Sequence, residues 1–243
     1  MTFTIEEQIV KSDFLEDTLI TRIYLPKNYS PLFTYPLIIA QDGPDYFNLG
    51  RLGTLLTELN ESGQLDKVIV CGLPYPDIKT RWKRYHPNGE QHLSYLRFLH
   101  RELIPTLRAA YAVESLASGV TLLGDSLGGT VSFLAALHYP HAFGNVIMQS
   151  PFINEQLIEK AANLPSTLRL YHSIGSQETK VKTTHGETAD FLSPNLALYD
   201  LLITKNLSDY TFEKHEGDHT WGAWQPDLKN ALLHFFTRQK ANR

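Results

Sequence analysis

Apolar and polar residues alternate at the start of the chain, as TFTIEEQIV over 2–10 and TLITRIYL over 18–25, with Phe14-Leu15-Glu16-Asp17 between them. A period of two puts one face on a core and the other in water, so these segments predict two antiparallel strands. After the Pro- and Asn-containing loop 26–36 the pattern changes. Short continuous apolar runs at 37–40, 68–73 and 120–123 read as buried strands, and 145–149, 167–173 and 210–214 as further strands. Between them apolar residues recur at helical spacing: Leu52, Leu55, Leu56 and Leu59; Leu93, Leu96, Leu99 and Leu103, continuing through Pro105 to Tyr111; and Val131, Phe133, Leu134 and Leu137. Further helices are expected at 157–162, 194–205 and 224–236. Strand–helix alternation after an antiparallel start predicts an α/β fold, a three-layer αβα sandwich with a mostly parallel sheet and antiparallel N-terminal strands. No repeat, low-complexity segment or linker interrupts it, so residues 1–243 read as a single domain.

Composition narrows the function classes. The chain has 243 residues, 42% hydrophobic and 20% charged, with a formal net charge of −4. That balance gives no electrostatic reason to expect nucleic acid or an anionic membrane as a partner. The single cysteine, Cys71, lies in the apolar run 68–73 and reads as a small buried hydrophobe. No basic start followed by an apolar core is visible at the N-terminus, and no run approaches membrane-spanning length, so a cytoplasmic protein is expected.

Candidate chemistry centres on 120–140, VTLLGDSLGGTVSFLAALHYP. Here G-x-S-x-G sits between an apolar strand and an amphipathic helix, the setting a nucleophile elbow requires. Ser126 occupies the sharp turn, Gly124 and Gly128 give the turn clearance, and the new helix aims its free N–H groups beside the serine hydroxyl. A serine needs a base to take its proton, and the base needs a third group to hold its tautomer. In the chain order Ser…acid…His, the loop after 167–173 offers Glu178 and the loop after 210–214 offers His219. Asp190 and Asp218 remain alternative acids. A metal site at His215 and His219 is disfavoured, because Gly217 interrupts any helix that would set the two on one face. No cofactor or metal is needed. The long polar and aromatic loop 74–90 is too long for a simple connection and marks a functional segment; its Arg81, Lys83 and Arg84 read first as a solvated basic turn.

Several fragments, in order, resemble the putative-esterase (esterase D-like, enterochelin-esterase-like) family of α/β-hydrolases. They are Gln41-Asp42-Gly43 followed by Asp45-Tyr46-Phe47; Arg81 with Tyr85-x-Pro87; Phe98 through Glu102 to Pro105; Gly124 to Gly129; Pro140-x-x-Phe143; Ser150-Pro151; and Gly217-Asp-His-Thr-Trp221 with Trp224. The resemblance runs from about Tyr35 to the C-terminus and implies an α/β-hydrolase fold and acyl-ester chemistry on a small-molecule ester. It implies Ser126 as nucleophile, His219 as base and Glu178 as acid, with Leu127 N–H in the oxyanion hole. Substrate contacts are expected from Arg81, Tyr85, Phe152 and Trp221, with the loop 179–193 closing the same edge. In the family the second oxyanion donor is often the residue after the Asp-Gly pair; here that is Pro44, which has no N–H. Asp45 N–H, or Gly43 N–H, is therefore expected to take its place. An acyltransferase with the same triad and a non-catalytic binding protein on this fold stand as the alternative functions.

Overall fold

In the computed structural model of the chain, residues 3–184 and 186–238 are described. Thr2, which opens the first expected strand, and His185 in the 179–193 loop lie outside them. Strands β1 (Thr4–Ser12) and β2 (Asp17–Leu25) form the antiparallel hairpin that the alternating pattern requires, with Thr4 opposite Leu25 and Ser12 opposite Asp17. The apolar runs become β3 (Leu37–Ala40), β4 (Ile69–Gly72), β5 (Val120–Asp125), β6 (Asn145–Gln149) and β7 (Arg169–Gly175). A two-residue-per-strand hairpin follows, β8 (Val181–Lys182) with β9 (Thr188–Ala189), and then β10 (Asp209–His215).

One eight-stranded sheet runs β1-β2-β4-β3-β5-β6-β7-β10, antiparallel through β2/β4 and parallel from there on. Helices cover both faces: α1 (Gly43–Asn48), α2 (Leu52–Glu61), α3 (Ile78–Tyr85), α4 (His92–Phe98), α5 (Ile104–Ala110), α6 (Leu127–His138), α7 (Glu155–Ala161), α8 (Leu192–Leu202) and α9 (Trp221–Phe236). The pleat sorts β3 between two cores. Leu37 and Ile39 pack with Phe98, Leu103, Phe133 and Leu198, whereas Ile38 and Ala40 pack with Leu52, Leu56, Leu228 and Leu232. This is the three-layer αβα arrangement.

Several elements differ from expectation for identifiable reasons. The helix expected through 92–103 widens into a π turn at Leu99–Leu103 before α5 resumes. Pro105 lacks an N–H and its ring collides with the carbonyl one turn back, so the ladder loosens just before it. Leu93, expected on the inner face, is 55% exposed. The 74–90 loop contains α3, started by Asp77, whose carboxylate accepts Thr80 N–H at 2.8 Å. The turn after β3 is the start of α1, with Pro44 in its first turn, where a missing N–H does no harm.

Candidate active site

Strand β5 ends at Asp125 and α6 begins at Leu127, so the chain reverses over one residue. Ser126 takes that corner at φ 51°, ψ −125°, outside the regions L-residues favour. Its N–H donates to Gln149 O on the neighbouring strand at 2.9 Å, and its carbonyl accepts Thr130 N–H at 3.1 Å, so both peptide groups are tied down. A Cβ at Gly124 would stand 2.2 Å from the Gly128 carbonyl carbon, so only glycine lets helix and strand approach this closely.

Two loops leaving the same sheet edge bring the expected partners to that corner. His219 Nε2 lies 3.0 Å from Ser126 Oγ, and His219 Nδ1 lies 2.6 Å from Glu178 Oε2. A carboxylate can only accept, so Nδ1 carries the ring proton and Nε2 presents its lone pair to the serine hydroxyl. The Glu178 side chain is fully buried and that of His219 14% exposed. Glu178 Oε1 accepts Gly175 N–H at 2.8 Å and the Ser150 hydroxyl at 2.6 Å, leaving Oε2 for the imidazole. The ring itself is gripped by Phe191 (centroids 4.3 Å apart) and, edge-on, by Trp224 (4.8 Å, 83°). The alternative acids are occupied elsewhere: Asp190 accepts from Ser193, and Asp218 from Thr220. Among the described residues no three His, Cys, Asp or Glu side chains converge as metal ligands would.

The expected oxyanion hole needs correction. Asp45 N–H donates to Asp42 O at 2.9 Å within the first turn of α1, and Gly43 N–H donates to Leu73 O at 2.7 Å. Neither backbone donor is left for a substrate oxygen. Leu127, at the first helical position of α6, has no carbonyl one turn back within the helix to bond, and it lines the cavity beside Ser126. A cation, Arg81, lines the hollows beside Ser126. Its Nε and Nη2 donate to Asp42 Oδ2 at 3.0 and 2.7 Å, its side chain is 14% exposed, and it stacks over the Tyr75 and Tyr85 rings. Burial opposes its charge, yet Asp42 holds the guanidinium above the ordinary arginine range. Asp125, directly before the serine, is pushed from 3.8 up to about 7, by burial first and then by the charge of Asp42, with Arg81 pulling the other way.

Two hollows that share lining residues flank Ser126. One, of about 230 Å³, is walled by Trp82, His86, Phe152, Phe191 and the β8–β9 hairpin. The other, of about 330 Å³, is more polar and includes Asp45, Tyr75 and Asp125. Arg81 and Leu127 border both. Of the four expected substrate contacts, Arg81 and Phe152 line the hollow beside Ser126. Tyr85 and Trp221 do not: Tyr85 is buried against Tyr95 and supports Arg81 from behind, and Trp221 packs on Tyr46 and Trp224. Arg84 is no solvated turn residue either, being buried with its Nη2 donating to Asp17 Oδ2 at 2.6 Å. Trp82 and His86 lie in the 74–90 segment and Phe191 in the 179–193 loop, both expected at this edge, but none stands out individually in the sequence because aromatic residues in a polar loop carry no periodicity; Trp82 on α3 and His86 just past its end stack at 4.7 Å.

A family model described as "Putative esterase" matches residues 12–235. The chain belongs to that esterase family. The uncharacterized protein YjcH of Bacillus subtilis is 46% identical over 231 residues, covering 94% of this chain and 96% of that protein. The enterochelin esterase of Shigella flexneri superposes with a TM-score of 0.80 at 23% identity over 95% of this chain. The esterase spans only 57% of that larger chain. A ferulic acid esterase superposes with a TM-score of 0.80 at 16% identity, over 96% of this chain and 97% of that one. These structural likenesses place the esterase on the α/β-hydrolase fold. Among the described residues no helix is long and apolar enough to cross a membrane.

Proposed function

We propose that the esterase is a serine carboxylic-ester hydrolase that works through an acyl-enzyme on small acyl esters or lactones, with residues 1–243 acting as one domain. The observation that carries this reading is the unbroken line Glu178 Oε2–His219 Nδ1 at 2.6 Å and His219 Nε2–Ser126 Oγ at 3.0 Å, ending on a serine in an elbow. His219 takes the Ser126 proton as Oγ attacks the ester carbonyl. Glu178 keeps the imidazole in the tautomer that can accept it and stabilises the imidazolium that forms. The negative oxygen of the tetrahedral intermediate is met by Leu127 N–H and by the Arg81 guanidinium, whose Asp42 contacts use only Nε and Nη2. His219 then returns its proton to the leaving alcohol, and a water repeats the steps on the acyl-enzyme. The ring-walled hollow beside Phe152 and Phe191 is suited to the acyl group and the polar hollow beside Asp45 and Tyr75 to the alcohol. Cys71, buried and unpaired, is in keeping with a cytoplasmic setting.

The test is turnover of an ester panel by the purified protein: p-nitrophenyl acetate and butyrate, a feruloyl ester, S-formylglutathione and, given the likeness to enterochelin esterase, a siderophore trilactone. At least one ester is expected to turn over, and Ser126→Ala is expected to lose that activity by several orders of magnitude. A variant retaining more than a tenth of the wild-type rate overturns the assignment.

A further inference from the structure

Resting on the proposed role of Glu178, we infer that Ser150 is a positioning residue for that carboxylate, and that Trp224 sets the direction in which the Ser150 hydroxyl points. Ser150 directly follows β6 and is fully buried. Its Oγ lies 2.6 Å from Glu178 Oε1 and 3.0 Å from Trp224 Nε1. An indole N–H can only donate and an ionised carboxylate can only accept. The Trp224 contact therefore occupies a lone pair of Ser150 Oγ, and the single hydroxyl proton is directed at Glu178. Oε1 is thus saturated from one side by Ser150 and from the other by Gly175 N–H at 2.8 Å, which aims Oε2 at His219.

Two further observations separate this from a buried hydroxyl that merely finds partners. The Ser150 backbone sits at φ 46°, a left-handed conformation that side chains rarely adopt, and Ser150 N–H is held by Ser173 O at 2.8 Å. The preceding residue fixes the other partner: Gln149 Nε2 donates to Trp224 O at 2.9 Å and to Asp227 Oδ2 at 2.7 Å. Trp224 is thereby held by its carbonyl and its indole from two consecutive residues, and its ring stands edge-on to the His219 imidazole at 4.8 Å. The contacts close a circuit, Glu178–Ser150–Trp224–His219 and back to Glu178, so the acid and the base are oriented by one frame.

The experiment measures kcat, KM and melting temperature with p-nitrophenyl acetate for Ser150→Ala, Trp224→Phe, Glu178→Gln and the Ser150→Ala/Glu178→Gln double variant. Ser150→Ala is expected to lower kcat on the order of tenfold, the effect of losing one hydrogen bond to a charged group, with KM within about twofold. Trp224→Phe, which keeps an aromatic ring but a smaller one and removes the N–H, is expected to lower kcat in the same direction. On the Glu178→Gln background Ser150→Ala is expected to cause no further loss, because its effect passes through the carboxylate and it removes one of the two donors that oppose the amide orientation Nδ1 needs. Ser150→Gly, which removes the hydroxyl but relaxes φ, reports the same kcat loss if the alanine variant folds poorly. A kcat within twofold of wild type in Ser150→Ala and Ser150→Gly, or a full tenfold loss on the Glu178→Gln background, overturns the inference. Near-wild-type activity in Glu178→Gln is a different failure, since it removes the acid assignment itself.

Discussion

Replacing Glu178 by glutamine keeps shape and volume, removes the charge and changes which atoms donate, and the tautomeric part of its effect can be worked from the contacts. Oε1 faces two donors, Gly175 N–H at 2.8 Å and Ser150 O–H at 2.6 Å, and Oε2 faces His219 Nδ1 at 2.6 Å. The amide oxygen of the replacement glutamine must take the two-donor side, which leaves the amide NH₂ pointing at Nδ1. Nδ1 then has to accept, the ring proton moves to Nε2, and the imidazole can no longer take the serine proton. Flipping the amide restores the tautomer but sets NH₂ against Gly175 N–H and Ser150 O–H, two buried donors at about 1–3 kcal/mol each. The productive arrangement is thus about 2–6 kcal/mol uphill, or roughly 30-fold to 10⁴-fold less populated. The upper end matches the roughly 10⁴-fold loss that a wrong tautomer brings in other serine–histidine–carboxylate sites. The assay is kcat on p-nitrophenyl acetate near neutral pH for Glu178→Gln beside Asp190→Asn and Asp218→Asn. Those two carboxylates bond to Ser193 and Thr220 in their own turns and their substitution is expected to change kcat by less than about threefold. A Glu178→Gln variant within tenfold of wild type, or one more active than Asp190→Asn, refutes the reasoning.

Three other outcomes follow from the same geometry. Asp125 has its pKa raised from 3.8 to about 7 by burial and by Asp42, so the folded state holds a proton that the unfolded chain releases. Its contribution is fully present below about pH 4 and is lost as the pH rises through about 7, so urea midpoints should fall across that window, and Asp125→Asn should flatten the fall; an equally steep fall in the variant rules this source out. Arg81→Met leaves Asp42, 3% exposed, without its cation, and should destabilise the fold by about 3–5 kcal/mol in urea titrations, a loss below about 1 kcal/mol showing that the pair is solvated. Gly124→Ala would drive a Cβ to 2.2 Å from the backbone of Gly128 and should cost about 1–3 kcal/mol and most of the turnover, so unchanged activity would mean that the elbow yields more easily than its packing indicates.

The sheet is legible in the chain because 37–40, 68–73 and 120–123 are apolar runs bounded by turn residues, too short for helices and too continuous for half-exposed strands. Ser126 is legible because its strand, turn and helix are contiguous. Glu178 and His219 are placed by chain order and strand ends, although nothing local in Ser176-Gln177-Glu178 distinguishes that carboxylate from Asp190. Helix α3 is hidden because IKTRWKRY has no apolar stripe; what holds it is the Asp77 cap and the Arg84–Asp17 contact, which joins residues distant in sequence. The oxyanion donors are hidden for a related reason. Pro44 announces that one N–H is missing, but that Asp45 N–H is taken by Asp42 O follows only from the turn folding into α1. Tyr85 and Trp221 show the converse: here aromatic residues inside motifs prop the site instead of walling it.

The central claim is that Ser126 carries the acyl group, and the direct measurement is mass spectrometry of the protein acid-quenched within milliseconds of mixing with excess p-nitrophenyl acetate. An acetyl group on the peptide containing Ser126 is expected, formed with a burst of one p-nitrophenol per active site and absent from Ser126→Ala. Steady hydrolysis without a burst and without label on that peptide, persisting in Ser126→Ala, would contradict the account.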